Sequence, residues 1–161
     1  MSIEYRSMNW SDIPTVHEIE SRVFVVDGWS VETFWSEMAG VPVRRWHVVA
    51  TDASQIVGYG GVAFLAPDCD IQTVAVLPSH RRRGIAHGII ERLLEHAQGQ
   101  GASVCHLEVA VENKAAIELY EQFGFVEIDR RVDYYSKGAD ALIMRSDLSG
   151  TAASTELSAE S

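Results

Sequence analysis

The chain has 161 residues, 47% hydrophobic and 22% charged, the balance of one soluble globular domain long enough to bury a core. Its formal net charge of −10 argues against a nucleic-acid backbone as main partner and suits a cationic acceptor, and no apolar run is long enough to span a membrane. Cys69 and Cys105 stand alone and the six histidines are scattered without ligand spacing, so packing cysteines and no metal are expected.

Met1 to Arg6 holds no basic stretch leading into an apolar run, and a cytoplasmic location is expected. Ile3 to Met8 reads as a short strand. Ser11 or Asp12 can cap a helix that accepts Pro14 in its first turn and repeats Ile13, Val16, Ile19 and Val23 at helical spacing. Val25-Val26-Asp27-Gly28 interrupts that helix. Ser30 then caps a second one, with Val31, Phe34, Trp35 and Met38 on its apolar side.

Two strands, Arg45 to Thr51 and Ile56 to Leu65, flank the hairpin loop Asp52-Ala53-Ser54-Gln55, and Gly58, Gly60 and Gly61 mark a bulge or a close backbone approach. A third strand, Asp70 to Val76, stops at Pro78. The next helix carries Ile85, Ile89, Leu93 and Ala97 on one stripe and ends near Gly99 or Gly101. Gly88 within it costs about 1 kcal/mol relative to alanine, which implies a close neighbour. Val104 to Val109 is a strand. Asn113 caps a fourth helix with Ala116, Leu119, Tyr120 and Phe123 inward and Gly124 closing it. Phe125 to Ile128 and Ala141 to Asp147 are the last strands, joined by a polar-aromatic loop from Asp129 to Asp140. The expected arrangement is β-α-α-β-β-β-α-β-α-β-β, an α+β or mixed α/β domain over residues 1–148. Ser149 to Ser161 is polar, lacks aromatics and is expected to be a disordered tail.

One local rule is broken. Arg81-Arg82-Arg83-Gly84-Ile85-Ala86 puts three cations at a helix start, where the macrodipole favours anions. A bound phosphate or pyrophosphate would resolve the conflict, through backbone N–H groups, a glycine that permits close approach, and flanking guanidinium groups. A solvated basic turn is the other reading of the same residues.

Four features in order are Thr73-Val74-Ala75-Val76, the arginine turn, Leu107-Glu108-Val109, and Asn113-Lys114-Ala115-Ala116-Ile117-Glu118-Leu119-Tyr120 with Phe123-Gly124-Phe125. Together they resemble the Gcn5-related N-acetyltransferase (GNAT) superfamily. They are most similar to the bacterial RimI group, which acetylates the N-terminal alanine of the eighteenth small-subunit ribosomal protein. The resemblance is strongest from Ile71 to Ser146, and Trp29-Ser30 and the Arg130-to-Tyr135 segment share it.

The resemblance implies one twisted, mostly antiparallel sheet of about seven strands with a splayed parallel pair, flanked by four helices. It implies acetyl-CoA as co-substrate, held by the backbone of Val74, Ala75 and Val76, by the turn Arg81, Arg82, Arg83, Gly84, Ile85, Ala86 and His87, and by Asn113. The alternative role of Asn113 is the helix cap alone. It implies Glu108 as general base for the acceptor amine and Tyr120 as general acid for the leaving thiolate. On the residues alone, Glu108 also reads as a solvated strand residue and Tyr120 as a core tyrosine.

The same resemblance puts Trp29, Tyr134 and Tyr135 at the acceptor. Trp29 equally reads as a hydrophobic staple of the second helix. Two positions depart from the group: Gly28 stands where a proline commonly precedes Trp-Ser, and Ala110 where an arginine commonly follows Leu-Glu-Val. Both lie on the acceptor side. The expected reaction is direct attack by a protein N-terminus in a ternary complex. Cys105 as a nucleophile is set aside, because it lies in an apolar strand without a base. A lysine side chain, polyamine or other small amine is the alternative acceptor, and a non-catalytic CoA-sensing module is the third reading. The oligomeric state stays open, a monomer included.

Overall fold

The computed structural model describes residues 2–24, 28–41 and 43–148, without the side chains of Tyr135 and Ser136. The expected tail and the Val25-Val26-Asp27 part of the interruption lie outside the described residues. The strands are β1 (Ile3–Ser7), β2 (Arg45–Asp52), β3 (Gln55–Leu65), β4 (Asp68–Val76), β5 (Val104–Ala110), β6 (Val126–Ser136) and β7 (Ala139–Asp147). The helices are α1 (Ile13–Val23), α2 (Val31–Met38), α3 (Ile85–Gly99) and α4 (Lys114–Glu121), in the expected order along the chain. Among the described residues the strands form one seven-stranded mixed sheet, ordered β1-β2-β3-β4-β5-β7-β6. By residue contacts the chain divides into two compact units. One takes Met1–Ala63 and Ile71–Ala97, the other Phe64–Asp70 and the chain from Gln98 onward.

In the first unit α1 begins at Ile13, with Pro14 in its first turn. Asp12 occupies the cap position, yet its side chain does not cap the helix. Its carboxylate accepts from the Arg6 guanidinium at 2.7 and 2.9 Å and from the Asn9 N–H at 2.7 Å. With both oxygens taken by these donors none is left for the helix start, and Arg6 holds the Asp12 carboxyl below its usual range. Ser30 does cap α2, accepting the Thr33 N–H at 3.1 Å. Phe34 and Met38 are the buried stripe of that helix. Trp35, expected beside them, is instead 46% exposed and stacks on Trp10 at 4.8 Å, because a two-turn helix buries one narrow stripe.

The β2–β3 hairpin turns through Ala53 (φ 49°) and Ser54 (φ 70°), a left-handed pair that matches the twist of the strands. The glycines of β3 are close-approach sites: a Cβ on Gly60 would stand 2.5 Å from Ile89 of α3. Gly88 has the same explanation, since the Tyr5 ring lies where its Cβ would be. Ile85, Ile89, Leu93 and Ala97 are all buried, as their spacing predicts.

In the second unit β5 pairs in parallel with the start of β4 (Asp68 to Asp70 against Val104 to His106) and antiparallel with β7 along its whole length. Cys69 and Cys105 face each other in that register as buried thiols. The expected loop from Asp129 to Asp140 is mostly strand: β6 runs on to Ser136 and turns at Lys137-Gly138. β6 is the last strand of the sheet and is exposed from Val126 to Tyr134, so no alternating apolar pattern betrays it. Its register breaks between Glu127 and Asp129 and again between Arg131 and Ser136. At the second break Asp133 adopts φ 54° and accepts the Gly138 N–H at 2.5 Å.

Candidate active site

The arginine turn lies in the first unit. β4 ends at Val76, and a short 3₁₀ turn, Pro78–His80, leads to the arginines. His80 is tied on both sides, to Asp52 at 2.9 Å and to Ser79 at 2.8 Å. Arg81 folds back so that its Nε donates to the Val76 carbonyl at 3.3 Å. Arg82 and Gly84 both adopt left-handed backbone, at φ 64° and 76°. Arginine pays about 1 kcal/mol or more for that conformation.

Left-handed residues alternating with others turn successive N–H groups inward and make an anion-binding concavity. The Gly88 N–H donates to the Gly84 carbonyl at 3.0 Å where α3 begins, and the N–H groups of Ile85 and Ala86 lie in its first turn, ahead of the helical ladder. Among the described residues, chain neighbours aside, nothing lies within 4 Å of the Cβ position of Gly84. The open space, the N–H groups and the exposed side chains of Arg82 and Arg83 fit a pyrophosphate. Along β4 itself, Val74 is half-buried while Ala75 and Val76 are buried.

The acid–base candidates lie in the second unit. Cys105, Leu107 and Val109 are buried, and Glu108 between them is exposed, as strand alternation requires. Arg131 of β6 reaches Glu108 at 3.5 Å. Tyr134 joins them: its hydroxyl pKa is raised, first by a hydrogen bond to Glu108. The Arg131 guanidinium lies 5.2 Å from the Tyr134 ring centre. Tyr120, in the last turn of α4, is 9% exposed and meets Phe125 edge-on at 5.8 Å. The Asn113 side chain accepts the Ala116 N–H at 3.2 Å and so performs the cap role. Tyr135 lies on β6, with its side chain outside the description.

Trp29, in the first unit, directly precedes the Ser30 cap and packs on Phe34 at 5.2 Å, the geometry of a hydrophobic staple. It is half-buried. Its backbone N–H donates to Glu20 at 3.2 Å, and Glu20 is a residue that sequence reasoning missed. One signal was available: Glu20 follows Val16 by four residues and so falls within the apolar stripe of α1. Arg131 was visible only as part of a basic pair, because its contact with Glu108 depends on strand pairing.

Among the described residues, no cluster of three or more His, Cys, Asp or Glu is arranged to hold a metal, and no helix is long and apolar enough to cross a membrane. Residues 13–125 match the family model for the acetyltransferase (GNAT) family. The N-alpha-acetyltransferase RimI of Mycobacterium tuberculosis is 34% identical over 143 residues, 85% of this chain and 87% of that protein. An uncharacterized protein of Mycobacterium leprae is 34% identical over 141 residues, 84% of this chain but only 38% of that longer protein. The crystal structure of the ribosomal-protein-S18-alanine N-acetyltransferase from Escherichia coli superposes with a TM-score of 0.82 at 27% identity, covering 91% of this chain and 94% of that one.

Proposed function

The chain belongs to the acetyltransferase (GNAT) family, and from that premise we propose that it transfers acetyl from acetyl-CoA to the N-terminal α-amino group of a protein. The acceptor suggested by its relatives is the N-terminal alanine of the eighteenth small-subunit ribosomal protein, which would place the enzyme in the cytoplasm. The observation that carries the reading is the turn through Arg82 and Gly84 at the start of α3, whose left-handed backbone and clustered cations suit a bound anion.

Acetyl-CoA supplies an acetyl group already activated as a thioester. The backbone from Arg82 to His87, with Arg81 and Arg83, holds the pyrophosphate by charge-assisted contacts, and the backbone of Val74, Ala75 and Val76 orients the acyl end. An α-amino group has a pKa of about 8, so much of it is protonated at neutral pH and must lose a proton before it attacks. Glu108 takes that proton, either directly or through a water, and its exposure leaves it open to an acceptor. Tyr120 gives a proton to the departing sulfur. Asn113 acts as the cap of α4 and contacts the cofactor. Trp29, Tyr134 and Tyr135 flank the acceptor. The amine attacks in a ternary complex, with no covalent enzyme intermediate.

The test is CoA release with two peptides. One has a free N-terminal alanine, and the other has a blocked N-terminus and an internal lysine. Turnover on the free N-terminus alone is expected. Turnover on the lysine peptide alone moves the acceptor to a side-chain amine. Tight acetyl-CoA binding without turnover on any amine replaces the enzyme reading by a CoA-sensing one.

A further inference from the structure

Glu20 is a carboxylate only 2% exposed, in the last turn of α1. Its Oε1 accepts the Tyr59 hydroxyl of β3 and, at 3.4 Å, the Thr73 hydroxyl of β4. Its Oε2 accepts the backbone N–H of Trp29 at 3.2 Å. Tyr59 is fully buried and Thr73 is 8% exposed. The surroundings are the apolar cluster of Ile19, Phe34, Tyr59 and Ala75, and burial pushes the Glu20 carboxyl up. An apolar side chain would suit such a place better unless the hydrogen bonds made there serve some end.

Two of those bonds fasten Glu20 to the sheet, and the third reaches outward to the backbone that opens α2. Gly28 shows how closely that backbone wraps the side chain. A Cβ on Gly28 would stand 2.8 Å from the Phe24 carbonyl oxygen and 3.3 Å from Glu20 Cγ. The Phe24 N–H in turn donates to the Glu20 carbonyl at 2.8 Å. Residues 28–29 are therefore seated on Glu20, and Glu20 is seated on Tyr59 and on Thr73, the residue just before Val74. The carboxylate joins the Trp29 backbone to the strand that carries the proposed acyl-binding positions.

We propose that Glu20 is a positioning residue for the acceptor: by holding the Trp29 backbone against β3 and β4, it sets where the incoming peptide N-terminus is received. The proposal rests on the reading of the chain as a peptide N-acetyltransferase with Trp29 at the acceptor. Glu20 itself touches no reactant. Tyr59 and Thr73 hold Glu20, whereas Gly28 supplies the room.

The experiment compares wild type with Glu20→Gln, Gly28→Ala and Tyr59→Phe. Glu20→Gln keeps the shape but brings an amide N–H₂ against hydroxyl and N–H donors. Gly28→Ala presses on the same seat without altering the carboxylate, and it serves if Glu20→Gln does not fold. Tyr59→Phe removes a buried hydrogen bond but leaves the one to Trp29. The readouts are the KM for an N-terminal alanine peptide, kcat, the Kd for CoA, and hydrogen exchange at the Trp29 amide.

Glu20→Gln and Gly28→Ala should raise the peptide KM about tenfold with kcat and CoA affinity within about threefold of wild type, and should speed exchange at Trp29; Tyr59→Phe, which loosens Glu20 from β3 but leaves its bond to Trp29, should shift both in the same direction by less. An unchanged peptide KM in both variants, or a KM that rises only together with CoA Kd, overturns the proposal. If wild type acetylates no peptide, the reading of function fails instead, and hydrogen exchange alone decides whether Glu20 holds Trp29. Equal protection of that amide in wild type and Glu20→Gln overturns the positioning role.

Discussion

Two regions treat their ionisable groups in opposite ways. The interior of the first unit encloses Glu20 with three donors and His47 with none. The second unit leaves Glu108 on the open face of β5, loosely met by Arg131 and Tyr134. A carboxylate saturated by fixed donors and sealed from water cannot exchange protons with a substrate. One at a strand's exposed face, with an ion pair no shorter than 3.5 Å, can. For these two carboxylates, burial with full coordination marks the one that holds the architecture, and incomplete coordination at an accessible place marks the one available for chemistry.

The largest effect that would break this contrast is catalytic. Glu108→Gln should lower kcat/KM for an N-terminal alanine peptide by about 10³-fold, worth about 4 kcal/mol, while Tm stays at the wild-type value because the residue is exposed. A loss in Tm that accounts for the lost activity would put Glu108 with the structural group.

Next comes His47. It is 2% exposed, both ring nitrogens lack a partner among the described residues, and burial, with Arg45 adding to it, lowers its pKa to about 4. Because that folded value lies below the unfolded one, the unfolded chain takes up the proton first. Stability is therefore full above about pH 6.5 and falls as pH drops toward 4, by about 3 kcal/mol in all. Urea titrations across that window should show wild type losing about 3 kcal/mol relative to His47→Leu as pH falls, whichever is the more stable at neutral pH. A pH-independent difference would mean that the imidazole finds a partner in solution.

Two smaller effects sharpen the contrast. Thr73→Val removes a 3.4 Å bond to Glu20 from a site that Tyr59 and Trp29 still satisfy, and should cost about 1 kcal/mol in chemical denaturation. Arg131→Ala breaks an exposed pair, and should change stability by less than about 1 kcal/mol. If Arg131→Ala destabilised more than Thr73→Val, Glu108 would be held more firmly than its geometry implies.

The division between legible and hidden features follows the same line. The α3 stripe, the Ser30 and Asn113 caps and the hairpin turn at Ala53-Ser54 are local, each fixed by residues within a few positions of one another, and all were readable in order. The exposed placement of Glu108 also followed from alternation along one strand. Asp12 failed as a side-chain cap because Arg6, brought alongside, and the Asn9 N–H occupy its carboxylate. Trp35 turned outward because its neighbours filled the stripe. The length of β6 stayed hidden because an edge strand exposed on both faces carries no apolar period.

By itself the sequence determined the element order, the core stripe of α3, the arginine turn and, through resemblance, the family. These rest on spacing and on turn chemistry that short stretches of chain express alone. Only the tertiary structure decided that Glu20, Tyr59, Thr73 and the Trp29 backbone meet, and that Arg131 and Tyr134 stand beside Glu108. The physical reason is that a hydrogen bond between side chains from distant positions leaves no periodic trace. It exists only once helix packing and strand register have brought its donor and acceptor within 3.5 Å of each other.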